Sequence, residues 1–172
     1  MTTFLTLVAI LQSFSISLGV GSSTLAIANF FVAISDGGIS PDERRMMGVV
    51  YIVLRVAMIL ILLTTLCLLA AQYSAGTLFL VPFNIAQLSV IGVLFVNAML
   101  MTAHIVPSNF GPAIQAGNWY TLGTLAALTS LSLTTFTLGH FFLAYVTWIV
   151  LAISIVNGIM AIQVARRNKL IT

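Results

Sequence analysis

Residues 39–71 read ISPDERRMMGVVYIVLRVAMILILLTTLCLLAA. The stretch opens on a helix start. Ser40 suits the N-cap, Pro41 the first helical position, where a missing N–H costs nothing, and Asp42 and Glu43 complement the positive end of a helix. Arg44 and Arg45 follow, and then an apolar run longer than the about 20 residues that cross a ~30 Å hydrocarbon core. The reading is a membrane span from Ser40 to about Ala71, entered from the side that carries the two arginines. Its roughly 30 residues extend ~45 Å, so a turn or two projects beyond the bilayer core on that side.

Four further apolar stretches fill the rest of the chain. The first runs from about Phe4 to Ile34 and ends at Asp36-Gly37-Gly38, a turn that glycine adopts cheaply. Pro82 restricts Val81 and starts a helix that reaches Ala103, which leaves residues Gln72 to Val81 as a connection. Pro107, Gly111 and Pro112 break the chain again. A fourth span is expected from near Pro112 or Trp119 to Leu138, a tight reversal at Gly139, and a fifth span from about His140 to Ala165. The chain of 172 residues is 60% hydrophobic and 5% charged, against about 25% charged in soluble domains. Mean hydropathy is +1.18. The expected fold is therefore all-α, a polytopic bundle of five transmembrane helices forming a single transmembrane domain over residues 1–172.

Charge sets the expected orientation. Arg44, Arg45, Arg166, Arg167 and Lys169 flank spans, and the side richer in Lys and Arg is cytoplasmic. With five crossings both basic clusters fall on one side, which puts the N-terminus outside and the C-terminus in the cytoplasm. Trp119 and Tyr120 are then expected at the inner interface, with Tyr73 and Phe79 near the outer one. The net charge of +3 reflects topology and contact with anionic headgroups; no basic stripe with interleaved aromatics suggests nucleic acid as a partner. Ala26-Ile27-Ala28 resembles a signal-peptide cleavage site, but the first 25 residues contain no Lys or Arg, so the first stretch is read as a retained span.

Polar residues inside the spans are the candidate sites. In the first, Gln12, Ser15, Gly19, Ser22, Ala26, Asn29 and Ala33 recur at spacings of three and four, a small and polar face. Ser15, Gly19, Ser22 and Ser23 are the helix-packing candidates, because small residues let backbones approach. Gly19-Val20-Gly21-Ser22-Ser23 has no following Lys and no strand-to-helix context, which removes a phosphate-loop reading. Arg55 lies ten residues past Arg45, ~15 Å further along the helix and near the bilayer midplane. Counted from the expected cytoplasmic boundaries, Asn29 is ~8 Å deep, Asn97 ~10 Å and Asn157 ~13 Å, with Thr124 near the same level. Arg55, Asn29, Asn97, Asn157 and Thr124 thus form a candidate inner-leaflet layer, either a structural network or a site for an anion or small polar ligand. No Asp or Glu lies within a span, which disfavours carboxylate proton relays and cation sites.

Metal and redox chemistry have few donors. Cys67 is the one cysteine, which excludes an intrachain disulfide, and it reads as a small packing residue. His104 and His140 are expected on opposite sides of the membrane, too far apart to share one haem or metal. No cofactor is predicted; a haem would have to use one of them with Gln, Met or a second copy.

Leu11-Gln12-Ser13, Leu18-Gly19-Val20-Gly21 and Ile39-Ser40-Pro41-Asp42-Glu43 resemble segments of small bacterial inner-membrane proteins of unassigned function. The resemblance covers the first third of the chain and extends loosely to copper-resistance-type membrane domains, in which a His often stands where Gln12 stands here. It implies a multi-pass protein of a bacterial inner membrane. Three function classes follow from the residues. The first is a non-enzymatic membrane subunit or scaffold that packs with itself as a homo-oligomer or with partner membrane proteins. The second is a permeation or binding protein for an anion or small polar solute, centred on Arg55. The third is a haem-bearing or quinone-linked electron carrier. An enzyme is not expected, since no nucleophile–base pair or paired carboxylates can be assembled.

Overall fold

The computed structural model describes residues 2–35, 40–76, 81–106 and 110–171. They form five helices, and no strand occurs among the described residues: α1 (Thr2–Ser35), α2 (Pro41–Ser74), α3 (Pro82–Thr102), α4 (Gly111–Ser130) and α5 (Leu138–Ile171). The Asp36-Gly37-Gly38 turn, Phe79 and Pro107 lie outside the described residues, as do the side chains of Ala33, Arg166, Arg167 and Lys169. Four helices, α1, α2, α3 and α5, are long and apolar enough to cross a membrane.

Local chemistry explains the helix starts. At α2 the Ser40 hydroxyl accepts the Glu43 N–H at 3.3 Å, and the Ser40 N–H donates to the Glu43 carboxylate at 2.7 Å, a reciprocal capping box ahead of Pro41. Pro82 and Pro112 stand in the first turns of α3 and α4. Thr137 begins α5, its hydroxyl accepting the His140 N–H at 3.3 Å.

The end of α4 differs from the sequence expectation. The helix stops at Ser130, not Leu138, and Gly139 is not a reversal but lies inside the first turn of α5. The reversal is made by Ser132, whose φ of 58° is left-handed. Its N–H reaches the Thr129 carbonyl at 3.0 Å and the Leu133 N–H reaches the Leu128 carbonyl at 2.9 Å, which satisfies two orphan carbonyls of the helix end. The same pair of bonds closes α3 around His104, with φ 57°: His104 N–H to Met101 and Ile105 N–H to Leu100. At the end of α2 the left-handed position is held by Gly76, as is usual.

Helix α4 is the hub. It contacts α1, α3 and α5, while α2 packs chiefly on α1. Ten of its 20 residues are buried, including Gln115, Asn118 and Thr121. That placement accounts for its composition: a helix shielded from lipid by its neighbours can carry amides that a lipid-facing helix cannot. By contrast α5 is peripheral, with Leu143, Val146, Val150 and Ile162 exposed, each a side chain suited to lipid. The apolar core gathers Leu54, Ala57 and Ile61 of α2 with Val90, Ile91 and Leu94 of α3 around Trp119 and Leu122.

Candidate functional site

The seam between α1 and its neighbours is built from small residues. Ser15 and Ser23 are fully buried, and Ser22 is nearly so. The Ser15 hydroxyl donates to the Ala57 carbonyl at 2.8 Å, and the Gln12 amide donates to the Thr65 hydroxyl at 2.9 Å, so α1 is hydrogen-bonded along α2. Gly19 is where α4 comes closest. A Cβ there would lie 2.2 Å from the Trp119 ring, which occupies the notch that glycine leaves. Trp119 is therefore a core residue with no exposed surface, a correction to the expectation that it sits at the inner interface. Tyr120, its neighbour, bonds the Thr24 hydroxyl at 2.7 Å.

The buried amides form two separate groups on α4. Asn97 of α3 donates to Gln115 Oε1 at 3.0 Å and to the Gly111 carbonyl at 3.1 Å, and Gln115 Nε2 reaches the Met58 sulfur at 3.3 Å. One turn on, Asn118 donates to the Ile114 carbonyl at 2.8 Å and accepts from the Tyr145 hydroxyl at 2.5 Å. Trp148 of α5 donates to the Gly117 carbonyl at 3.1 Å. These bonds tie α3 and α5 to the same stretch of α4 and satisfy polar groups that lipid could not.

Two cavities flank this stretch at opposite ends of the bundle. The larger, about 850 Å³, is an open groove between α4 and α5 with Val20 of α1 at its edge. Its α4 wall is small, with Gly123, Thr124 and Ala127; its α5 wall is large, with His140, Phe141, Tyr145 and Trp148. The aromatic wall is ordered: Phe141 stacks on Phe136 at 5.7 Å and on Tyr145 at 5.8 Å, and Trp148 meets Tyr120 edge-on at 6.3 Å. His140 Nδ1 lies 2.6 Å from the Thr137 hydroxyl. That hydroxyl also accepts the His140 backbone N–H, and its one hydrogen and second lone pair serve either tautomer of the ring; Nε2 has no partner among the described residues. The volume falls in the range of small-molecule sites, roughly 300 to 1,000 Å³.

The smaller cavity, about 370 Å³, is a cleft at the end where α2 and α4 begin, lined by Tyr51, Arg55 and Met58 of α2, Met101, Thr102 and His104 at the end of α3, and Gln115. Arg55 is exposed and makes no hydrogen bond or ion pair among the described residues.

The candidate layer read from depth is thus distributed. Arg55 and Asn97 meet through Gln115, which lines the Arg55 cleft and bonds Asn97. Thr124 is nine residues further along α4, ~14 Å away, and lines the groove. Asn29 and Asn157 are half-buried and line neither cavity. His104 and His140 belong to different cavities, and among the described residues no three His, Cys, Asp or Glu side chains converge as a metal site. The methionine sulfurs beside His104 accept amide N–H groups, Met58 from Gln115 and Met101 from Asn97 at 3.5 Å. Sequence reasoning overlooked Gln115, Asn118 and Tyr145. The available signal was the pairing of two amides one turn apart on α4, the helix with the most polar interior. No family model, no curated protein and no solved structure matches this chain.

Proposed function

We propose that the chain is a non-enzymatic multi-pass membrane protein whose α4–α5 groove binds a membrane-soluble amphiphile with a flat ring and a hydrogen-bond-accepting head, the chemistry of a quinone or a related ring-bearing lipid. All five helices cross the bilayer in this reading, with the N-terminus outside and the C-terminus cytoplasmic. The two arginines at the start of α2 support the orientation. The observation that carries the function is the groove itself: a slot between a small-residue wall and an aromatic wall, with the imidazole of His140 as the polar group at its edge. A partner helix fits it less well. Helix–helix contacts in membranes favour small residues on both sides, and here one side is Phe141, Tyr145 and Trp148. A planar ring stacks on such a wall at a modest gain of about 0.5 to 1.5 kcal/mol per aromatic pair.

Fluorescence tests this. The chain holds two tryptophans, Trp119 sealed in the α1–α4 seam and Trp148 on the groove. Titrating a decyl-substituted benzoquinone into protein reconstituted in phosphatidylcholine nanodiscs should quench Trp148 saturably. His140→Ala should weaken binding about fivefold, one neutral hydrogen bond's worth. Quenching that rises linearly without saturation, or that is unchanged by Trp148→Phe, defeats the proposal.

A further inference from the structure

We infer that the Arg55 cleft holds the phosphate of an anionic phospholipid, independently of the groove at the other end of the bundle. Arg55 stands ten residues beyond Arg45, ~15 Å further along α2 than the last interfacial arginine. Its face of the helix is lipid-facing: Ile52 and Ile59, at three residues before and four after, are 63% and 55% exposed. A guanidinium in that position offers five N–H donors and finds no acceptor among the described residues. Asp42 stands 13 residues before it on α2, ~20 Å away along the helix, and the Glu43 carboxylate is taken by the Ser40 N–H. The groups that line the cleft beside Arg55 are donors or neutral: the Tyr51 and Thr102 hydroxyls, the Gln115 amide and His104. Among the described residues no carboxylate lines it, so an oxyanion is electrostatically matched and a cation is not.

The backbone at His104 sets another part of the cleft wall. It occupies the left-handed position that closes α3, φ 57°, whereas the corresponding position of α2 is Gly76. A β-carbon in that conformation is strained, as it is at Ser132, which closes α4 in the same way. Here the strained residue is the one that places an imidazole in the wall of the Arg55 cleft. The source of the phosphate follows from the surroundings. Ile52 and Ile59 offer acyl chains an apolar bed on either side of the guanidinium, which a free anion would not use.

The test is retention of lipid by the full chain. Protein purified from mixed phosphatidylglycerol and phosphatidylcholine nanodiscs and examined by native mass spectrometry should keep phosphatidylglycerol preferentially. Arg55→Met should lower that retention at least about tenfold, the loss of a charge-assisted contact. Arg55→Lys should recover part of it. His104→Gly separates binding from folding: relief of the strained backbone should raise the melting temperature while retention falls. Arg45→Gln, at the helix start, should lower retention far less than Arg55→Met. Wild-type retention by both Arg55→Met and His104→Gly overturns the site, as does equal loss in Arg45→Gln. Full displacement of the lipid by inorganic phosphate overturns the lipid source. If Arg55→Met fails to fold, His104→Gly alone decides: unchanged retention with a raised melting temperature rejects the cleft.

Discussion

The two flanks of α4 are a study in side-chain size. Toward α1 it meets Gly19, Val20 and Thr24, and the backbones close until the Trp119 ring fills the space of a missing β-carbon. Toward α5 it meets Phe141, Tyr145 and Trp148, and an 850 Å³ groove stays open between the helices. The α4 surface is not the cause, for it carries a large ring on each flank, Trp119 toward α1 and Tyr120 on the groove. Lipid removes the hydrophobic drive for helices to associate, so closeness depends on packing and interhelical hydrogen bonds. Small residues seal a flank; aromatic residues pinned by single hydrogen bonds prop it apart.

The largest way to break this contrast is to enlarge the sealed flank. Gly19→Leu puts atoms where Trp119 stands, and a ring with no exposed surface cannot swing aside. Overpacking of this kind costs typically about 1 to 3 kcal/mol, and here the upper end or more is expected. The thermal midpoint in mild detergent should collapse. Leu18→Ile, one residue away on an exposed position, should leave it unchanged. Pairing Gly19→Leu with Trp119→Ala should restore part of the loss; no recovery would mean that the ring is not what Gly19 accommodates.

Smaller and opposite in sign is the effect of relaxing the turn beside the open flank. Ser132 holds a left-handed conformation that costs a residue with a β-carbon about 1 to 2 kcal/mol. Ser132→Gly should therefore stabilise the protein by about 1 kcal/mol, read as a raised melting temperature with the groove's ligand affinity unaltered. A destabilised Ser132→Gly would show that the hydroxyl matters more than the backbone.

That turn also marks where the sequence became hard to read. Helix starts carry chemical signatures, and Ser40-Pro41-Asp42-Glu43 and Pro82 announce theirs. The end of α4 carries none, because a serine took a role that glycine usually fills, and the true glycine seven residues on, Gly139, drew the boundary to itself. Periodicity exposed the small face of α1 but not its partner. Trp119 reads as an interfacial aromatic because that is where tryptophan commonly sits in membranes, and only the fold brings it to Gly19. Depth counting had a similar limit. It placed Arg55, Asn97 and Thr124 near one level and said nothing of direction around each helix, so a single polar layer was expected where the structure has a cleft and a groove.

On the open flank, Tyr145→Phe removes the bond that pins α5 to Asn118. Interhelical hydrogen bonds in membranes average about 0.6 kcal/mol, so the loss of stability should be slight, although Asn118 keeps an unpaired oxygen. The sharper readout is geometry. With α5 released at that point, spin labels at Leu128 and Ala144, both on the groove, should report a broader distance distribution than in the parent. An unchanged distribution would assign the spacing of α4 and α5 to the stacked rings alone.

The smallest effect on stability belongs to filling the groove. Ala144 lines it, and a larger side chain there meets empty volume instead of a packed neighbour. Ala144→Leu should change stability by less than the roughly 0.5 kcal/mol typical of surface substitutions, read as a nearly unmoved melting temperature, in contrast to the same kind of enlargement at Gly19. The same variant should abolish saturable quenching of Trp148 by the benzoquinone, because the ring's slot is occupied. The two enlargements therefore invert one another: at Gly19 the fold is lost, at Ala144 the fold stays and binding is lost. If Ala144→Leu were as damaging as Gly19→Leu, the α4–α5 flank would be sealed in the membrane and the groove would not be a binding site.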